Sequence, residues 1–91
     1  MTPYTKTWNG HQYEYSDGHT LLFRAATYTD LGHKIALGIA DGTIDYRRVE
    51  TDLHPIVYDR VLRSRFTPSF CGQTQEAIRL RHFMAIAQWK R

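Results

Sequence analysis

Residues 29–42 read TDLGHKIALGIADG, and the reading of this stretch decides the fold. Within it Ile35, Leu37 and Ile39 alternate with Lys34, Ala36, Gly38 and Ala40. Strict alternation puts the three larger side chains on one face of an extended chain. The flanks agree with that. Thr29-Asp30-Leu31-Gly32 is a turn signal, and Asp41-Gly42 is a dipeptide that supplies positive φ in a tight hairpin. His33–Ala40 is therefore expected to be a strand between two turns.

The same signals recur on the N-terminal side. Asn9-Gly10 and Asp17-Gly18 are hairpin dipeptides, and runs of strand length rich in aromatic and β-branched residues lie between them. The strands expected are Tyr4–Trp8, His11–Tyr15, His19–Tyr28, His33–Ala40 and Thr43–Val49. Short turns join only antiparallel neighbours, so a meander of about five strands follows. Tyr13 and Tyr15 share a face with His11. The third strand is apolar on both faces at Leu21-Leu22-Phe23, which suits a central or curled position.

Beyond residue 50 the period changes to that of a helix. Thr51 or Asp52 can cap a helix in which Pro55 is tolerated in the first turn. Ile56, Val57, Val61 and Leu62 then recur at helical spacing to about Arg65. Pro68 interrupts. A second helix is expected over Thr74–Trp89, with Ala77, Leu80, Phe83, Met84 and Ala87 in one stripe. About 24 Å of helix can cross a small sheet, and one sheet face needs a cover. The expected fold is a small α+β domain over 1–91. Its 1–50 half is a β-meander and its 51–91 half is helical, with the C-terminal helix packed on the sheet. A rolled barrel with a helical extension is the alternative.

Composition and charge bound the function. The chain has 91 residues, 42% hydrophobic and 23% charged, which is globular usage. Folding a chain of this mass hides roughly 65% of its surface, enough for one core. The single cysteine cannot form an internal disulfide. The first residues, Met1 to Lys6, hold no apolar run of the signal-peptide kind, and no stretch is long enough to span a bilayer. The expectation is a soluble, cytoplasmic protein that does not engage membranes. The net charge of +3 is unevenly spread. Residues 1–59 carry five Lys/Arg and eight Asp/Glu, whereas 60–91 carry seven Lys/Arg against Glu76 alone. A basic C-terminal third can steer an acidic partner.

Catalytic patterns are sparse. His11, His19, His33, His54 and His82 include no close pair of the zinc-ligand type, so no metal and no cofactor is expected. Phosphate-binding glycine loops and the G-x-S-x-G elbow are absent from the sequence. Asp41, Asp45, Glu50, Asp52 and Asp59 are scattered. Cys71, in Phe70-Cys71-Gly72 before a helix, has a position that lowers a thiol pKa, with His54 or His82 as a base. A thiol enzyme or redox switch there is the minor alternative to simple packing of a small apolar side chain.

Binding asks for less than catalysis. Tyr, Trp and Arg dominate interface hot spots. The chain is expected to be a non-enzymatic regulator, inhibitor or adaptor that occludes or tethers a protein with an acidic surface. A small regulator of the phage or mobile-element type fits this profile. Arg60, Arg63, Arg65, Arg79 and Arg81 form the expected basic helical face, and Tyr13, Tyr15 and Tyr46 are the expected aromatic anchors. Nucleic acid bound by the same arginines is the alternative. An exposed edge, Tyr4–Trp8 or Thr43–Val49, can pair with a partner strand, although Lys6 and Arg47-Arg48 are also edge-blocking residues. A monomer and a homodimer are both compatible with these features.

Overall fold

The N-terminal residues form hairpins at their turn dipeptides, but the second and third strands begin at Tyr13 and Leu21 rather than at His11 and His19, and the third ends at Ala25 rather than at Tyr28. In the computed structural model, which describes residues 2–63 and 75–87, β1 (Thr5–Trp8), β2 (Tyr13–Ser16) and β3 (Leu21–Ala25) form an antiparallel sheet in that order. Asn9 and Asp17 shape the two connections. Their side-chain oxygens accept backbone N–H groups of His11, Gln12, His19 and Thr20 at 2.7–2.8 Å. The Thr20 and His19 amides also hold the Asp17 carboxyl below its usual range. The register pairs Trp8 with Tyr13, Lys6 with Tyr15, and Tyr15 with Phe23. These residues therefore share the core-facing side. Thr7, Glu14 and Arg24 lie on the other side, where Arg24 and Glu14 form an ion pair at 3.1 Å.

The expected fourth strand is a helix, α1 (Tyr28–Asp41). The expected turn at Thr29–Gly32 is its first turn. Thr27 takes an extended conformation and caps α1, its Oγ1 accepting the Asp30 N–H at 3.0 Å. Asp41-Gly42 is no hairpin either. Gly42, at φ 89°, is a left-handed helix cap whose N–H donates to Ile39 O at 3.3 Å. A glycine with positive φ serves a hairpin and a helix end equally well, so the dipeptide cannot tell them apart.

Burial shows which period is real. Leu37 is 36% exposed, whereas Ile35 and Ile39 are 0% exposed. Leu31, Ile35 and Ile39 make the core stripe, with Ala36 and Ala40 beside it. Alternation over six residues coincided with an i, i+4 pattern whose outlying member, Leu37, faces outward.

The expected fifth strand, Thr43–Val49, is also absent among the described residues. Ile44 folds back on α1, its N–H bonded to Gly38 O at 3.0 Å, and Tyr46–Arg48 make a 3-10 turn capped by Asp45. Among the described residues the sheet thus has three strands rather than five, and helix begins at Tyr28, not at residue 51. The first 50 residues are not purely a meander.

The expected helices form within the residues described. A 3-10 turn, Thr51–Leu53, leads into α2 (His54–Arg63), with Val57 and Val61 buried. Helix α3 (Gln75–Ile86) buries Ala77, Leu80 and Phe83, and Ala87 follows them into the core. Residues Arg65, Cys71, Thr74 and Trp89 lie outside the described residues.

A helix does pack on the sheet. It is α1 whose residues meet β3, and α2 and α3 both pack on α1. Two glycines allow this central role. A Cβ on Gly32 would stand 2.8 Å from Ile56 Cγ1, and one on Gly38 would stand 2.6 Å from Ile44 Cδ1. A side chain at either position would have to displace the isoleucine that now packs against the α1 backbone.

Candidate protein-interaction surface

The first hairpin brings two aromatic rings together. Asn9 N–H donates to Gln12 O at 3.0 Å and closes the loop. Trp8 and Tyr13 are the next pair outward, a pair whose backbones do not bond each other and whose side chains therefore approach closely. Their ring centroids lie 4.8 Å apart at 59°. Tyr28, the first residue of α1, extends the row with its ring 5.6 Å from that of Tyr13. Trp8 is 52% exposed, and Tyr13 and Tyr28 are half-buried. The result is an aromatic stripe from the sheet edge to the start of α1, with its most exposed ring held by its neighbours.

Lys6 lies next to this stripe, on the same side of β1. Its Nζ reaches Asp52 at 3.1 Å and Glu50 at 4.0 Å. Burial works against the ammonium charge, but the Asp52 hydrogen bond and the two carboxylates outweigh it, so the Lys6 pKa stands above its usual value. Burial likewise pushes the Tyr28 phenol up, against the opposing charge of Lys6. A groove of about 390 Å³ lined by Pro3 and residues 47–52 lies beyond.

Arg48 fastens one wall of that groove. Its Nε donates to Thr2 O at 2.6 Å, its Nη2 to Asp17 O at 3.3 Å, and its guanidinium sits 4.3 Å from the centre of the Tyr4 ring. Arg47 pairs with Asp45 at 3.1 Å, and that hydrogen bond holds the Asp45 carboxyl below its usual range.

The expected anchors part company in the structure. Tyr13 belongs to the exposed stripe. Tyr46 is half-buried, its hydroxyl 3.2 Å from His82 Nδ1 and its ring edge-on to the imidazole. Tyr15 is a core residue, 0% exposed, with its ring between those of Tyr4 and Phe23, and so offers nothing to a partner. Its hydroxyl has no hydrogen-bond partner among the described residues. Burial, and then the Glu50 charge, push the phenol far above its ordinary range.

Two outcomes are expected at Tyr15. A buried hydroxyl without a partner costs more than it returns, so Tyr15→Phe should leave stability unchanged or raise it by up to about 1 kcal/mol. The unfolded phenol loses its proton above about pH 10 while the folded one keeps it. Above that pH the unfolded state binds fewer protons, so this share of stability is complete below about 10 and declines as pH rises. Lys6, raised in the folded state, acts in the same sense. Urea midpoints from pH 8 to 11 should therefore fall less steeply in Tyr15→Phe than in the parent. An equal slope, or a large loss at pH 8, would contradict this reading of the hydroxyl.

The arginines are likewise not one free face. Arg79 sends its guanidinium to the end of α1, with Nε 3.1 Å and Nη2 2.7 Å from Ala40 O, and Nε 3.2 Å from Ile39 O. It is a helix cap from another helix. Arg63 is exposed and pairs with Asp59 at 3.0 Å. Arg60 is half-buried, with a buried Nε that has no partner among the described residues. Arg81 is half-buried on α3.

Sequence reasoning left Trp8 and Tyr28 off the list of contact residues. With Asn9-Gly10 as the turn and a strand from His11, Trp8 would face His11; the Asn9–Gln12 bond instead centres the turn on Gly10-His11 and brings Trp8 opposite Tyr13. Tyr28 is readable only once α1 is known.

His54 is buried, its Nε2 3.1 Å from Val49 O and its ring edge-on to Phe83. Among the described residues no three or more His, Cys, Asp or Glu gather to hold a metal ion, and no helix is long and apolar enough to cross a membrane. Comparison with protein-family models, with curated proteins and with solved structures finds no match.

Proposed function

We propose that this chain is a non-enzymatic regulator or adaptor that binds another protein through the Trp8–Tyr13–Tyr28 stripe, with an acidic partner drawn in by the helical arginines. The observation that carries the reading is Trp8, 52% exposed and braced by Tyr13 at 4.8 Å. A tryptophan already held in place loses little freedom on docking and offers a large contact area, which is the profile of a hot-spot residue.

Charge supports the same reading. Arg60, Arg63 and Arg81 lie on α2 and α3, in the third of the chain where cations outnumber acids, and Arg65 belongs to the same third. Cations outside the contact itself speed the encounter more than they hold the complex. Arg79 is withdrawn from the contact set because its guanidinium caps α1.

The test is a comparison of the parent and Trp8→Ser as immobilised bait against a cell lysate treated with nuclease. One protein retained by the parent is then titrated against both. Trp8→Ser is expected to weaken binding by 30-fold or so, the effect of a hot spot worth about 2 kcal/mol. Its urea midpoint should stay close to that of the parent. Equal affinity of the two for every retained protein would overturn the reading. Retention that vanishes with nuclease would favour nucleic acid instead.

A further inference from the structure

The sheet has two edges, and they are not alike. On β3, Arg24 O accepts Lys34 Nζ at 2.6 Å, and α1 begins three residues after the strand ends. On β1, antiparallel alternation sets which groups face outward. Asn9 and Gln12 are bonded, so Thr7 with Glu14 and Thr5 with Ser16 are the bonded pairs that follow. The N–H and C=O of Lys6 and Trp8 then point away from β2. Among the described residues nothing meets them. One step further on, the outward N–H of Tyr4 is taken by Arg48 O at 3.0 Å, and at the other end Asn9 turns back toward Gln12. The open edge therefore runs from Thr5 to Asn9 and is centred on Thr7.

We propose that this edge pairs with the same edge of a second copy of the chain, giving a continuous six-stranded antiparallel sheet about a two-fold axis through Thr7. The inference rests on the reading above in that it names a second copy as an occupant of the surface around Trp8.

Self-complementarity of the register favours a second copy over an unrelated strand. An edge open from Thr5 to Asn9 is filled when Thr5 lies opposite the second copy's Asn9 and Thr7 opposite its own counterpart. In that register Lys6 lies opposite the second copy's Trp8. Lys6 and Trp8 are the residues whose main-chain groups face outward, so each such pair closes two hydrogen bonds. Both side chains lie on the core-facing side of the sheet, which brings an ammonium beside an indole twice across the axis. Thr7 meets the second copy's Thr7 on the other side, a favourable cross-strand pair.

Lysine on an edge strand ordinarily blocks pairing, because a second strand would bury its charge. Here Asp52 at 3.1 Å and Glu50 at 4.0 Å already neutralise Lys6. A five-residue edge covers less area than a stable dimer needs, so the pairing is a concentration-dependent one.

Amide hydrogen exchange is measured at about 20 μM and about 1 mM of the full chain. The Lys6 and Trp8 amides should exchange roughly 10-fold more slowly at the higher concentration, while Thr5 and Thr7, already bonded to β2, should not change. A second measurement uses Thr7→Cys and Thr5→Cys, each with Cys71→Ser, in one glutathione buffer. Facing residues of a non-bonded pair sit about 4.5 Å apart at Cα and accept a disulfide, so Thr7→Cys should form a covalent dimer roughly 10-fold faster.

Concentration-independent exchange at Lys6 and Trp8, or equal dimer rates for the two cysteine variants, overturns the proposal. If the chain stays monomeric yet Trp8→Ser still loses another captured protein, only the self-pairing falls. If the chain stays monomeric and Trp8→Ser captures all that the parent captures, the protein-binding reading falls as well.

Discussion

Ile35→Ala is expected to lower the stability of this protein by about 2–5 kcal/mol, and Leu37→Ala to change it by no more than about 0.5 kcal/mol. The two residues stand two apart, and a strand would give them the same face and similar costs. In α1 they lie on opposite sides. Ile35 is fully buried against the core cluster, so truncation leaves a void that its packed neighbours cannot collapse into. Leu37 is at the surface, and alanine there even improves helix propensity. Urea unfolding of both variants and the parent measures the difference. Similar costs for the two would contradict the helix.

Arg79→Ala should cost about 1.5–3 kcal/mol, the range for hydrogen bonds made by a charged group. The change removes both Arg79 hydrogen bonds from the Ala40 carbonyl and leaves the Ile39 carbonyl with the Gly42 N–H alone, in the last turn of α1. It also detaches α3 from the end of the helix that it packs on. Arg79→Glu should cost more, since it sets a negative charge against the negative end of the helix dipole. Arg63→Glu is the control. It loses an exposed ion pair with Asp59 and should cost less than about 1 kcal/mol. Denaturant midpoints decide between a structural and a surface role. An Arg79 variant as stable as Arg63→Glu would return Arg79 to the surface set.

These expectations follow from long-range placement, and they explain what was legible in the sequence. Asn9-Gly10 and Asp17-Gly18 announce their hairpins because each turn is closed within four residues by its own side chain and its own glycine. The α3 stripe is legible for a related reason. Ala77, Leu80, Phe83 and Ala87 repeat a helical period for which no strand has a use.

Residues 28–42 carry local helix signals too, Thr27 with Asp30 at one end and Gly42 at the other. Each of those signals is shared with turns, and a six-residue alternation outweighed them. What separates the two periods is burial of Ala36 and exposure of Leu37, and burial is a property of the neighbours.

The interaction surface divides in the same way. The hairpin near Asn9-Gly10 is legible, but its register, and with it Trp8 opposite Tyr13, depends on the Asn9–Gln12 bond that centres the turn on Gly10-His11. Tyr15 shares a face of β2 with Tyr13, yet that face runs from the exposed sheet end into the core within two residues. Arg79 looks like any helical cation until α1 ends beside it, 39 residues away from Ala40 along the chain.

The presence of the two hairpins, the periods of α2 and α3 and the charge polarity are legible along the chain, because turn chemistry and periodicity act over a few residues. That residues 28–41 are a helix, that Arg79 is its cap, that Tyr15 is buried and Trp8 is not, and that the edge of β1 is open among the described residues all come from tertiary contacts. Each of those depends on which distant backbone or side chain arrives to take a hydrogen bond or exclude water, and short-range pattern carries no record of that.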